Sequence, residues 1–328
     1  MTDLRALGER VHQEASAFDA LAAEVSRVVV GQEEMVRGIL LGLLTGGHVL
    51  LEGLPGLAKT LAVNAVCHAV GGTFSRIQFT PDLLPSDIVG TVLYNPQRAE
   101  FTSKLGPVFA NFVLADEINR APAKVQSALL EAMQERIVTL GDQTFQLPDP
   151  FLVLATQNPV EQEGTYDLPE AQVDRFTLKI KVGYPGRADE RRIMDRMTAP
   201  EMPAVQQVMS LEALQAGRWL TRELYMDDKV RDYIVNLVCA TRDPQSYKMG
   251  EFASLIEYGA SPRASIALNL VSRARAFLQK RAYVTPEDVK AVAPDVLGHR
   301  VRLTYEAEAQ NVRSAHIVTR LLEAVEVP

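Results

Sequence analysis

The glycine-rich loop at residues 53–60 limits the possible folds of this chain more than any other segment. It reads Gly53, Leu54, Pro55, Gly56, Leu57, Ala58, Lys59 and Thr60. An apolar strand is predicted directly before it, at residues 48–51, and a helix at residues 59–70. The spacing fits the pattern G-x-x-x-x-G-K-S/T, in which backbone N–H groups and a helix N-terminus surround phosphate groups. The loop therefore predicts an α/β fold with a phosphate-binding turn.

Ala58 stands where the pattern has its second glycine. Because alanine readily adopts right-handed helical angles, we expect position 58 to lie at the start of the helix without a positive φ. Lys59 is expected to reach the β- and γ-phosphates of ATP, and Thr60 to bind Mg²⁺. The other loop residues and Leu61 are expected to line the same site. The alternative is a strand-helix turn without function.

Short apolar strands alternate with helices beyond this loop. The predicted strands are residues 48–51, 74–79, 111–115, 151–156 and 177–180. Continuous apolar strands that alternate with helices indicate a parallel sheet covered on both faces, the doubly wound α/β class. Two segments, 88–108 and 137–147, do not fit this unit and are predicted to be inserted hairpins.

A second domain is predicted from about residue 186. The turn at residues 184–187 breaks the strand pattern, and helices are predicted at residues 187–197, 211–217, 227–242, 262–281, 286–293 and 311–326. We therefore expect an α/β domain at residues 1–185 and a smaller all-helical domain at 186–328. An amphipathic helix at about residues 3–27 should pack onto the α/β domain.

Two adjacent carboxylates end the strand predicted at residues 111–115. At the carboxyl edge of a parallel sheet, Asp116 can hold Mg²⁺ while Glu117 orients a water molecule as a base. An Asp-Glu pair after a strand is by itself often a solvated cap. Together with the loop, the pair indicates a site that hydrolyses ATP as well as binding it.

An amide follows the next strand. Asn158 lies at the same sheet edge, where it can hold the attacking water without repelling phosphate. Its alternative role is that of a turn residue before Pro159. We interpret Asn158 as the residue that positions the water.

Two arginines complete the candidate site. Arg175 precedes the last predicted strand and should emerge at the edge of the domain, either solvated or reaching the γ-phosphate of a neighbouring subunit. Ser261 is predicted to be an N-cap, with Pro262 as the first helical residue. Arg263 then lies in a first turn, where a cation opposes the helix dipole and is more stable beside an anion such as phosphate.

Charge and composition exclude other classes of protein. The net charge of −7 disfavours nucleic acid unless a local basic patch overrides it. The two cysteines, Cys67 and Cys239, have no metal-ligand spacing and indicate a reducing compartment. Neither a signal peptide nor a membrane span is predicted, so we expect a cytoplasmic protein.

The order of these motifs resembles the AAA+ ATPases, and within them the MoxR family, from about residue 25 to residue 328. The matching segments are 30–32 (VGQ), 53–60 (GLPGLAKT), 76–87 (RIQFTPDLLPSD), 116–121 (DEINRA), 128–135 (ALLEAMQE), 155–159 (ATQNP), 170–176 (EAQVDRF) and 259–263 (GASPR). The departure at Ala58 is shared by the looser loop of that family.

The resemblance implies an αβα nucleotide domain with a helical lid, and ATP bound at subunit junctions of a ring that is usually a homo-hexamer. It places three residues on the adenine side: Val30, Gly31 and Gln32. It also implies that Asn158 is sensor 1, Arg175 the arginine finger that acts in trans, and Arg263 sensor 2. The two hairpins match the helix-2 insert and the pre-sensor-1 hairpin. MoxR proteins act as chaperones of client complexes with partners that contain a von Willebrand factor A domain.

Three hypotheses of function remain open. The first is an ATPase that remodels, matures or activates a client complex, with metal insertion into a metalloenzyme as one variant. The second is an interaction module whose partner affinity depends on bound nucleotide. The third is a DNA-directed AAA+ protein, for which a local basic cluster would be needed. That cluster comprises Arg273, Arg275, Lys280 and Arg281, and a solvated helix face is its alternative interpretation.

Overall fold

The computed structural model of the protein describes residues 4–97, 99–159, 164–200 and 203–328. The strands are β1 (Val49–Gly53), β2 (Phe74–Gln78), β3 (Gly90–Asn95), β4 (Glu100–Leu105), β5 (Phe112–Asp116), β6 (Ile137–Leu140), β7 (Gln143–Gln146), β8 (Leu152–Gln157), β9 (Leu178–Val182), β10 (Ile256–Tyr258) and β11 (Arg302–Leu303). Within the described ranges, every helix is too short or too polar to cross a membrane.

Helices alternate with these strands in the first half of the chain and dominate the second half. They are α1 (Leu4–Ser26), α2 (Glu33–Thr45), α3 (Lys59–Val70), α4 (Pro85–Val89), α5 (Ala123–Glu135), α6 (Glu170–Val173), α7 (Arg187–Met197), α8 (Leu211–Glu223), α9 (Asp228–Ala240), α10 (Pro262–Leu278), α11 (Pro286–Leu297), α12 (Tyr305–Ala309) and α13 (Ser314–Ala324).

Five strands form the central sheet, in the order β2-β5-β8-β1-β9. β2, β5, β8 and β1 pair in parallel, which confirms the predicted α/β class. Every residue of β5 is buried, as expected for a strand in the interior of a covered sheet. The carboxyl ends of β1, β5 and β8 therefore meet at one edge of the sheet.

Both predicted hairpins are present. β3 and β4 pair antiparallel from Gly90 with Leu105 to Asn95 with Glu100, and β6 and β7 pair antiparallel on either side of Gly141 and Asp142. The first hairpin exposes apolar side chains to solvent: Leu93 is 48% exposed, Tyr94 55% and Phe101 73%. The Tyr94 and Phe101 rings contact each other, with centroids 5.1 Å apart.

The chain divides into two compact units whose limits differ from the expected boundary at residue 186. The α/β unit comprises Ala20–Phe176 and Ile180–Gln215, and the helical unit comprises Thr177–Lys179, Ala216–Pro328 and α1 up to Asp19. α7 thus belongs with the sheet, although its sequence continues the helical pattern. Helical periodicity identifies an element but does not identify the core against which it packs.

The first part of α1 packs in the helical unit, contrary to the expected packing on the α/β domain. The Phe18 ring meets the Phe277 ring edge-on at 5.4 Å between centroids, and Lys280 Nζ lies 2.7 Å from Asp19 Oδ2. The helical unit also contains a two-stranded sheet of β10 and β11, so it is not all-helical. Strands of three and two residues are too short to produce a periodic signal.

Candidate functional site

The glycine-rich loop joins β1 to α3, as predicted. Gly53 ends the strand and Lys59 begins the helix. Gly53 allows close packing here, because an added Cβ would lie 2.6 Å from the carbonyl oxygen of Val182. Gly56 has φ of 83°, a left-handed value that glycine adopts at little cost. The loop therefore requires glycine at both positions, for two different physical reasons.

The expectation for Ala58 is wrong. Its φ and ψ are 57° and 20°, in the left-handed region, and it caps α3 instead of joining it in a right-handed conformation. An alanine in this region is strained by about 1 kcal/mol, because its Cβ approaches the following carbonyl oxygen. Sequence reasoning assumed that the residue type would avoid the strain, whereas the turn imposes it.

Replacing Ala58 with glycine should relieve this strain. We expect the melting temperature to rise by about 1–3 °C, which corresponds to roughly 0.5–1 kcal/mol. The matched control is Ala62→Gly in the same helix, which should lower stability by about 1 kcal/mol because position 62 is helical. Thermal unfolding followed by circular dichroism checks both. A loss of stability in Ala58→Gly as large as in the control would contradict the strained assignment.

Lys59 is buried at the base of the loop, where its ammonium group donates to the carbonyl oxygen of Gly53. Burial lowers the pKa of Lys59, while the carboxylates of Asp116, Glu117 and Glu52 oppose that shift. A cation that has already lost much of its hydration can bind an anionic ligand with little further desolvation cost. This environment suits a phosphate contact.

Asp116 ends β5, and each of its carboxylate oxygens has a hydroxyl partner. Thr156 Oγ1 donates to Oδ1 at 2.6 Å, and Thr60 Oγ1 donates to Oδ2 at 3.4 Å. The backbone N–H of Glu117 donates to Thr156 Oγ1 at 2.8 Å. Thr156, which sequence reasoning placed only in a strand, therefore fixes the orientation of both carboxylate-bearing residues.

The oxygens of Thr60 and Asp116 fit a magnesium site. Mg²⁺ prefers oxygen ligands and is usually held by one or two protein groups together with water and substrate phosphates. The described residues contain no group of three or more His, Cys, Asp or Glu side chains that could hold a metal by themselves. The arrangement thus suits a metal that arrives with a phosphate ligand.

Glu117 has φ of 57°, another left-handed value. Its Oε2 accepts a hydrogen bond from Gln78 Nε2 at 3.0 Å and lies 3.2 Å from Arg120 Nε. Non-glycine residues in this backbone region are often found at functional sites, where the surrounding structure holds them. Glu117 lines the same pocket as Lys59.

The sequence predicts no role for Arg76, yet this residue contacts Asp116 directly. Its Nε and Nη2 lie 3.1 and 2.6 Å from Asp116 Oδ2. Its Nη2 also donates to Gln78 Oε1 at 2.9 Å. Arg76 and Gln78 are two residues apart on β2 and share one face of the strand. Side chains of β2 therefore contact both acidic residues.

Asn158 is buried and lines the pocket, and its carbonyl oxygen accepts from Asn119 Nδ2 at 3.3 Å. Gln126 stabilises the turn after Glu117 through hydrogen bonds to its backbone. Its Nε2 lies 3.3 Å from the carbonyl oxygen of Ile118 and 3.1 Å from that of Ala121. The turns that carry Glu117 and Asn158 are thus held by buried side-chain amides.

One pocket brings most of the predicted residues together. Its cavity is about 430 Å³ and is lined by the loop from Pro55 to Leu61, by Asp116, Glu117, Thr156 and Asn158, and by Val28, Val30, Gln32, Pro185, Ile193, Arg196 and Met197. Gly31, Gly53 and Leu54 were predicted to contact the nucleotide but do not line it. The sequence does not predict that Ile193, Arg196 and Met197 of α7 line the pocket, because this helix carries no recognisable motif.

Part of the pocket lining is apolar. Val28, Ile193 and Met197 form this part, and Gln32 Nε2 donates to the carbonyl oxygen of Gly183 at 3.1 Å. Gly31 has φ of 70°, and an added Cβ would lie 2.7 Å from Cβ of Asp189. Gly31 therefore acts by allowing α7 to approach. An apolar wall of this kind suits a planar base.

Arg175 and Arg263 lie outside the set of residues that line the pocket. Arg175 Nη1 donates to the carbonyl oxygen of Leu130 at 2.9 Å in the α/β unit. In the helical unit, Ser261 caps α10 by accepting from the backbone N–H of Arg263 at 3.2 Å, and Pro262 is the first helical residue, as predicted. The roles of both arginines remain predictions.

Comparison with known proteins gives consistent matches. A model of the "ATPase family associated with various cellular activities (AAA)" matches residues 48–178, and an "AAA lid domain" model matches residues 252–321. The chain is 51% identical to Chaperone MoxR1 of Mycobacterium tuberculosis over 98% of this chain and 85% of that protein. It is 32% identical to Protein MoxR of Methylorubrum extorquens over 92% of this chain and 91% of that protein.

A solved structure shares the complete fold. The crystal structure of a protein from Cytophaga hutchinsonii superposes with a TM-score of 0.93 at 49% sequence identity, and each chain is covered over 100% of its length.

Proposed function

The chain belongs to the MoxR family of AAA+ ATPases, and we propose that it hydrolyses ATP in the pocket beside the glycine-rich loop. The observation that carries the proposal is the convergence of Lys59, Thr60, Asp116, Glu117 and Asn158 on one cavity. These residues come from three separate strand ends. A buried cation, two carboxylates and a neutral amide around one cavity match the requirements of phosphoryl transfer to water.

Each residue has a distinct task in this proposal. Lys59 contacts the β- and γ-phosphates, and Thr60 and Asp116 hold Mg²⁺. Held by Thr60 and Asp116, the metal would neutralise the charge that develops on the phosphate oxygens. Glu117 accepts a proton from the attacking water, and Asn158 keeps that water in line with the γ-phosphate. The apolar lining residues Val28, Ile193 and Met197 contact adenine.

The two remaining site residues, Arg175 and Arg263, act on ATP from outside the pocket in this proposal. Arg175 enters the ATP site of a neighbouring subunit in a homo-hexamer, where a cation stabilises the transition state. Arg175 does not line the pocket of its own chain, which supports that role. Arg263 acts as sensor 2 for the γ-phosphate. In the first turn of α10 a cation opposes the helix dipole, so the helix favours an anion beside it.

The work done with ATP is remodelling of a client complex in the cytoplasm, together with a partner that contains a von Willebrand factor A domain. The exposed Tyr94 and Phe101 of the β3–β4 hairpin support an element that contacts another protein, because aromatic residues are enriched at protein–protein interfaces. Maturation of a metalloenzyme is one form that this work can take.

Capture of partners from a lysate tests this function. Glu117→Gln should hold partners in the presence of ATP, whereas the wild-type protein should release them as ATP is consumed. Retained proteins are identified by mass spectrometry, with ADP as the control nucleotide. A von Willebrand factor A protein among those retained would support the proposal, and equal capture in ATP and ADP would contradict it.

The second hypothesis is a nucleotide-gated interaction module, for which binding of ATP alone is sufficient. The ordered contacts around Glu117 favour hydrolysis, because a module that only binds does not require a held carboxylate beside the phosphates. A partner that binds and leaves wild-type protein at the same rates as Glu117→Gln would favour the module.

The contacts of the basic cluster count against the DNA-directed hypothesis. Arg281 Nη2 and Arg275 Nε lie 2.6 and 3.4 Å from Asp288 Oδ1, and Lys280 Nζ lies 2.7 Å from Asp19 Oδ2. Arg273 donates to Asn269 Oδ1 at 3.0 Å. The cations of the cluster bind acidic and polar groups of the helical unit itself, which leaves less positive charge to attract a nucleic acid.

A further inference from the structure

We propose that Arg76 competes with Mg²⁺ for Asp116 and so sets how strongly nucleotide binding depends on the metal. The inference rests on the proposed ATP site and assigns a new positioning residue to it. Arg76 lies on β2, outside the residues that line the pocket, and reaches the carboxylate from the neighbouring strand.

The guanidinium of Arg76 and the metal would both contact Oδ2 of Asp116. Thr60 Oγ1 lies 3.4 Å from Oδ2 of Asp116, so Oδ2 faces the hydroxyl that would share the metal. Arg76 Nε and Nη2 contact that same Oδ2 at 3.1 and 2.6 Å. Oδ1 instead accepts from Thr156 Oγ1 at 2.6 Å. A guanidinium on Oδ2 therefore occupies the position from which Asp116 would engage Mg²⁺ or a water bound to it.

Arg76 can leave this position at low cost. Its side chain is 49% exposed, whereas that of Asp116 is 12% exposed, so solvent can receive the guanidinium when the carboxylate turns to the metal. Solvent around the half-exposed guanidinium screens its attraction to the carboxylate. The pair is strong enough to oppose the metal measurably and too weak to exclude it.

The same arginine also orients Gln78. Because Gln78 Oε1 accepts from Arg76 Nη2, its Nε2 faces Glu117 Oε2 at 3.0 Å. Departure of Arg76 from Asp116 thus removes one hydrogen bond from the amide that contacts Glu117. Through this contact, binding of the metal at Asp116 is coupled to the orientation of the Glu117 side chain along one face of β2.

The test compares nucleotide affinity with and without metal. Binding of the fluorescent, non-hydrolysable analogue mant-AMPPNP is measured in saturating Mg²⁺ and in EDTA. The readout is the ratio of the dissociation constant in EDTA to the dissociation constant in Mg²⁺. Arg76→Gln should increase this ratio roughly five-fold, the effect of removing one cation beside the site in a largely aqueous dielectric. Arg76→Lys keeps the charge and should keep the ratio near that of the wild type.

The control is Arg231→Gln, which removes a cation from an exposed ion pair with Asp228 in the helical unit and should leave the ratio unchanged. An unchanged ratio in Arg76→Gln overturns the inference while leaving ATP binding intact. Equal weakening in both buffers also overturns it, because Arg76 would then be a phosphate contact. If the wild-type protein binds the analogue in neither buffer, the proposed ATP site fails and the inference fails with it.

Discussion

Replacement of Glu117 by glutamine is expected to lower ATP turnover about 100-fold or more while leaving ATP binding intact, because an amide cannot accept the proton of the attacking water. Glutamine has the same shape and can keep an oxygen towards Gln78 and Arg120. The left-handed backbone of Glu117 is not affected by the change. Phosphate release measures turnover, and fluorescence of a mant-labelled nucleotide measures binding.

Glu131→Gln is the matched control for this variant. Glu131 is exposed on α5 of the same unit, so its replacement removes one negative charge without touching the pocket. Its turnover should equal that of the wild type. Normal turnover in Glu117→Gln would remove Glu117 from the role of base, and loss of nucleotide binding in that variant would indicate a different role in holding the site together.

Arg175→Ala is expected to abolish turnover and to recover part of it in mixed assemblies with Glu117→Gln. An arginine finger contributes about 10³-fold or more to phosphoryl transfer. In a mixture of equal parts, a site is complete when its own Glu117 and its neighbour's Arg175 are both intact. Random assembly makes about a quarter of the sites complete, so turnover should approach a quarter of the wild-type value.

Arg175 also contacts the carbonyl oxygen of Leu130, so its loss can affect folding as well as catalysis. Melting temperatures of Arg175→Ala and Arg175→Lys separate these effects, since the lysine retains a long basic side chain. Co-purification of two differently tagged subunits confirms mixed assembly. No recovery in confirmed mixtures of folded subunits would count against a finger that acts in trans.

The sequence predicted the parts of the site that depend on local order along the chain. The loop before α3 and the carboxylates after β5 follow apolar strands, and parallel strands place their carboxyl ends together. The sequence alone therefore places Lys59, Asp116 and Asn158 at the carboxyl edge of the sheet. The same reasoning predicted both hairpins, because turn residues separate their strands.

Other parts of the site depend on which residues approach from distant segments, and the sequence did not predict them. Arg76 reaches Asp116 only because β2 lies next to β5, and nothing in its own segment indicates an ion pair across strands. Arg196 and Met197 enter the pocket because α7 packs in the α/β unit. Ala58 shows the opposite limitation, since its intrinsic preference indicated a right-handed backbone and the tight turn required a left-handed one.

The nucleotide that remains bound after incubation with ATP and Mg²⁺ tests the central claim most directly. If the loop at Lys59 and the carboxylate of Glu117 form one hydrolytic site, rapid separation and chromatography should find mainly ADP on the wild-type protein and mainly ATP on Glu117→Gln. Mainly ADP on both proteins would contradict the assignment of hydrolysis to this pair of residues.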